Sequence, residues 1–151
     1  RERISNKIVI WRPLFNAEIP RTWKRLLTNS DWESIIKELR RQGKSITELT
    51  YRTPVSEALY HISTAEMVIC YDGMWHYIAK NFATPLVVIS EEAITKYHTK
   101  YALRASHNPE KKGNIFQLLQ NFDETLSIVK ERSTQYYDGM KYIYEDRQSS
   151  N

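Results

Sequence analysis

The stretch Tyr71-Asp72-Gly73-Met74-Trp75-His76 combines residue types that together can hold an anion. It follows the apolar run Ala65 to Cys70 and precedes apolar residues at helical spacing, so it reads as a turn from a strand into a helix. Gly73 lets backbone approach a ligand closely, and the helix starts at about Met74. Its first N–H groups have no intrahelical acceptor and carry the positive end of the helix dipole, which stabilises a diphosphate. His76 falls in that first turn, where the same field disfavours protonation and keeps a neutral imidazole able to hydrogen-bond. Asp72 can cap the helix or hold a ligand hydroxyl. A purely structural account makes Asp72 an N-cap and His76 a packed helix residue, and Asp-Gly-x-x-His by itself does not choose between them.

The elements that must position this turn follow from pattern. Lys7 to Trp11 is a short β-branched run closed by Arg12-Pro13, a buried strand. Leu14 to Ser30 reads as a loop with a short helical turn. Asp31 is placed as the N-cap of a helix whose apolar face is Trp32, Ile35, Ile36 and Leu39, with Gly43 as C-cap. Ser45 to Thr50 alternates like a strand. Thr53-Pro54 opens a helix with Val55, Leu59 and Ile62 inward. Met74 to Phe82 is helical, and Pro85 to Ile89 is an unbroken apolar run, typical of a parallel strand covered on both faces. Tyr101 to Leu103 is a short fifth strand candidate. After the loop 107–113, Ile115, Leu118, Leu119, Phe122, Leu126 and Val129 mark one long amphipathic helix. The expected fold class is α/β: a Rossmann-like parallel sheet of four or five strands, helices on both faces, and a C-terminal helical tail. Residues 1–132 form the domain and 133–151 the tail. In such sheets ligands bind beyond the carboxyl ends of the strands, where the turn after Cys70 lies.

With 151 residues, 41% hydrophobic and 26% charged, the chain can bury a core without a metal or disulfide staple. No apolar run reaches the length of a membrane span. Cys70 is the only cysteine and sits in an apolar run, which excludes an internal disulfide and reads as an inert core thiol; the cytoplasm is the simplest compartment. A net charge of +4 suits an anionic ligand, and helix-surface lysines and arginines account for most of it without nucleic acid. His61, His98 and His107 have no metal-ligand spacing, and no cofactor is implied.

Thr53 to Cys70, followed by Tyr71 to His76 and then Ala79 to Pro85 and Val88, resembles one stretch of the heptosyltransferase-type glycosyltransferases. Those enzymes carry a helix, then Asp-Ser/Thr-Gly-x-x-His, then a helix ending in Pro-x-Val, in the C-terminal, donor-binding half of a two-domain GT-B fold. The resemblance covers about 40 residues well. It implies a nucleotide-diphosphate sugar as ligand, held by Gly73, Met74 and His76, with Asp72 on sugar or ribose hydroxyls. Arg12-Pro13 resembles the loop after that half's first strand, and Arg21 or Lys24 stands where the family places a lysine against the phosphates. Two departures are plain. The family's aspartate position falls on Tyr71, with Asp72 in the Ser/Thr place, and the stretch from Gly43 to Thr53 lacks room for the usual extra helix with its ribose-binding acid.

The expected function is therefore a glycosyltransferase-like domain that binds a nucleotide-sugar. Transfer would be metal-independent and would need the acceptor groups that the family's other half supplies. The competing reading is a non-catalytic binding or assembly module. There the tyrosine-rich stretch 134–144 meets a protein partner or a second copy, since tyrosines pair an apolar body with a polar tip. A 2-deoxyribosyltransferase-like enzyme would need a nucleophilic glutamate on the helix after Asp72, and Trp75-His76-Tyr77 stands there instead.

Overall fold

The structure, a computed structural model, describes residues 2–12, 27–71, 73–90 and 101–149, with side chains in the last helix described up to Tyr136. Five strands form one sheet: β1 (Lys7–Trp11), β2 (Ser45–Leu49), β3 (Met67–Tyr71), β4 (Leu86–Ile89) and β5 (Leu103–Ala105). Every neighbouring pair is parallel, and the strand order is β2-β1-β3-β4-β5. The chain goes from β1 outward to β2, then crosses back over β1 to β3, so the order reverses between β1 and β3. The α/β, Rossmann-like expectation is the observed architecture. The fifth strand begins two residues beyond its expected start, and Tyr101 and Ala102 precede it as buried side chains.

Alternation in the buried strands separates two cores. Ile8, Ile10, Met67, Ile69, Tyr71, Val87 and Ile89 face α1 (Asn29–Arg41), α4 (Ile115–Gln120) and the start of α5 (Phe122–Ser149). Val9, Val68, Cys70, Leu86 and Val88 face α2 (Val55–Thr64) and α3 (Met74–Asn81). Cys70 is a fully buried core thiol. No helix is long and apolar enough to cross a membrane among the described residues.

Helix ends depart from expectation for local reasons. The N-cap of α1 is Thr28, not Asp31; Thr28 Oγ1 accepts from the Asp31 N–H, and the Asp31 carboxylate accepts from the Thr28 N–H. Thr-x-x-Asp is a capping box with a short acid at its third position. Helix α1 ends at the C-cap Gln42, and Gly43 follows with φ 83°. At α2, Thr53 Oγ1 accepts from the Thr50 N–H and leaves the helix without a side-chain cap. Val55, expected inward, is exposed; Ala58 and Ile62 fill that face. The long helix expected from Ile115 onward breaks at Asn121, whose side chain donates to Gln117 O in competition with the backbone. Beyond the break α5 runs unbroken to Ser149, so the expected tail continues that helix. Phe122 and Val129 lie in the α1-side core, whereas Tyr136 packs edge-on against Tyr101 on the other side. Helix α5 thus passes the β5 edge of the sheet, where Arg132 donates to Ala102 O at 3.1 Å.

Candidate functional site

The carboxyl ends of β1 and β3 form the rim at the point where strand order reverses, the usual ligand crevice of an open parallel sheet. From β3, Tyr71 leads through position 72 to Gly73, which has φ 154° and serves as the N-cap of α3 with no side-chain hydrogen bond. An ideal Cβ at Gly73 would meet nothing within 4 Å, so glycine is needed for its backbone angle and not for lack of space. Helix α2, which begins on the same rim, also lacks a side-chain cap. Helices α1 and α4, in contrast, are closed by Thr28 and Asn114. Gly73 itself supplies no side-chain cap to the first N–H groups of α3, and oriented amides of this kind favour an anion.

The expected site residues separate into three groups. Gly73 and Met74 are exposed on the rim, Met74 at 61%. His76 is wholly buried; its ring lies 5.3 Å from that of Tyr77, tilted by 38°. Trp75 is buried too, 5.8 Å from the half-buried ring of Trp11, so these two indoles fill the α3 side of the β1/β3 crevice. Asp72, Arg21 and Lys24 lie outside the described residues, as does most of the expected loop 14–30.

Arg12, expected to meet the ligand, is held by two carboxylates. Its Nη2 lies 3.0 Å from Glu33 Oε1 on α1, and its Nε lies 3.2 Å from Glu48 Oε2 on β2. Its Nη1 is buried, with no acceptor among the described residues. Across β1 from β2, Tyr71 Oη accepts from the Leu27 N–H at 3.0 Å, which anchors the chain entering α1. Trp32 meets Tyr71 edge-on at 5.8 Å and 80°. Burial pushes the Tyr71 phenol up to about 12, with the Leu27 N–H opposing that shift, so Tyr71 is a neutral phenol under ordinary conditions.

Glu33, Glu48, Trp32 and Tyr71 were not singled out by pattern as ligand groups. Trp32 reads as a core residue and Tyr71 as a strand end, and no local spacing announces that their rings meet. Among the described residues no group of three or more His, Cys, Asp or Glu is placed to hold a metal ion. Compared with protein-family models and with curated proteins, the chain matches none.

Proposed function

We propose that this domain binds a nucleotide-diphosphate sugar, with the diphosphate on the amides that open α3. The supporting observation is the N-terminus of α3: Gly73 leaves it without a side-chain cap, on the rim where strand order reverses. Oriented backbone N–H groups and the helix dipole favour a diphosphate there without a metal ion. The resemblance of Thr53 to His76 to the donor half of heptosyltransferase-type enzymes adds the nucleotide-sugar to that anion. Glycosyl transfer would need groups for the acceptor in addition to these. If transfer occurs, the same amides would offset charge on the departing diphosphate.

Substitutions at exposed Met74 in the first turn provide the test. Met74→Glu favours the helix dipole yet repels an anion, and Met74→Lys does the reverse. Calorimetric titration with pyrophosphate and ADP should show binding to the wild-type protein. It should be about fivefold weaker in Met74→Glu and stronger in Met74→Lys, as expected for about 1 kcal/mol of local electrostatics. No binding to the wild type at millimolar ligand, or shifts of the same sign in both variants, would remove the assignment.

The assembly reading through 134–144 has one observation in its favour, the continuation of α5 to Ser149. Against it, Tyr136 is already engaged by its own domain: its ring faces Tyr101 and lies 4.7 Å from Lys80 Nζ.

A further inference from the structure

We propose that Arg12, Trp32 and Tyr71, with Glu33 and Glu48, form a subsite for sugar hydroxyls on the α1 side of the β1/β3 rim. The proposal rests on the nucleotide-sugar reading and assigns part of that ligand to named side chains.

The register brings these residues together. The β1–β3 pairing runs Ile8↔Met67, Val9↔Val68, Ile10↔Ile69, and Arg12 and Tyr71 each follow two residues after the last pair on their own segments. Both share the parity of Ile10 and Ile69, whose side chains face α1. Trp32 reaches Tyr71 from α1.

Among the described residues, three hydrogen-bond donors at this place have no acceptor. Arg12 commits Nη2 and Nε to carboxylates and leaves Nη1 buried with no acceptor among the described residues. The Tyr71 hydroxyl accepts from Leu27, and its own proton has no acceptor among the described residues. Trp32 Nε1 is buried and faces the phenol oxygen without reaching hydrogen-bond geometry. Trp32 is 0% exposed and Tyr71 8%. Folded proteins satisfy nearly all such groups. Several together mark a place that an acceptor-bearing ligand would complete.

Charge narrows the class of ligand. One guanidinium between two carboxylates leaves the cluster net negative, which disfavours another phosphate. A hydroxyl fits both halves. It can accept from Arg12, Tyr71 or Trp32 and donate to Glu33 or Glu48. Glu48 occupies the end of β2, and neighbouring strands are about 4.8 Å apart, so hydroxyls here would lie within about 10 Å of the diphosphate proposed beyond β3. The ribose of the nucleotide and the transferred sugar both carry such groups.

Calorimetry with four probes tests the subsite: pyrophosphate, ADP, 2′,3′-dideoxy-ADP and ADP-glucose. If ribose is the source, the wild-type protein binds ADP about tenfold more tightly than the dideoxy compound; if the transferred sugar is, ADP-glucose exceeds ADP by about tenfold. In Tyr71→Phe and Glu48→Gln that ratio should fall to about one, with pyrophosphate affinity unchanged. Tyr71→Phe also strands the Leu27 N–H; if it fails to fold, the rim substitution Glu48→Gln carries the test, since Arg12 keeps Glu33. Equal binding of all nucleotides by the wild type overturns the subsite. So does a ratio that survives Glu48→Gln, or a loss of pyrophosphate affinity as large as that for ADP. Failure of pyrophosphate to bind the wild type instead removes the donor reading, and the subsite with it.

Discussion

The two ends of the sheet use similar residues to opposite effect. At the amino end, Arg3 donates from Nη1 to Ser63 O and Thr84 Oγ1 and from Nη2 to Phe82 O, each at 2.6 Å. Lys7 Nζ donates to Thr64 Oγ1 at 2.7 Å and lies 4.8 Å from the Tyr60 ring centroid. Helices α2 and α3 end there, so both cations stand at the negative ends of helix dipoles. At the carboxyl end, Arg12 and Tyr71 are again a cation and a phenol, yet among the described residues Arg12 Nη1 and the Tyr71 proton have no acceptor, and neither Pro54 nor Gly73 gives α2 or α3 a side-chain cap. Arg3 spends its guanidinium on three acceptors near the ends of α2 and α3, whereas Arg12 keeps one nitrogen without an acceptor among the described residues.

Changes at each end should separate stability from binding. Arg3→Ala removes three charge-assisted hydrogen bonds from the ends of α2 and α3 and should cost about 2–3 kcal/mol in urea unfolding, with pyrophosphate affinity unchanged. An equal fall in affinity would erase the division between the two ends. Thr28→Ala opens the capping box of α1 and should cost about 1 kcal/mol. Pro54→Ser at uncapped α2 should cost nothing or stabilise by less than about 1 kcal/mol, measured by the same denaturation. A cost like that of Thr28→Ala would mean that the α2 terminus is already satisfied.

The smallest expected effect concerns pH. Burial lowers the Lys7 pKa from 10.5, so between its folded and unfolded values the unfolded chain binds more protons. Stability attributable to Lys7 should therefore rise with pH across that window, and the penalty for burying its charge is fully present below it. Thermal melts of Lys7→Met should lack this rise. A variant that tracks the wild type up to pH 10.5 would show that Lys7 is solvated in the folded protein.

Much of the fold was legible from residue pattern. Pro85 to Ile89 and Lys7 to Trp11 read as buried strands because residues covered on both faces must be apolar in succession. The capping box was present as Thr28-x-x-Asp31, but Asp31, next to the first periodic residue, drew the cap three positions too late. Asn121 interrupts a run whose hydrophobic period continues past it, so periodicity alone joined α4 and α5. At the site, Gly73 and Met74 were placed on the rim as the turn chemistry implies. The burial of His76 was not legible, because position in a first turn does not say which way a ring points.

Sequence alone determined the kinds and order of the elements, and with them a parallel sheet with helices on both faces. Hydrophobic period is a local property, set by how many faces of each segment are covered. Only tertiary structure decided that Arg12 shares its charge with Glu33 and Glu48 and that Trp32 meets Tyr71. Those meetings depend on strand register and on where α1 packs, and no spacing within one segment encodes either.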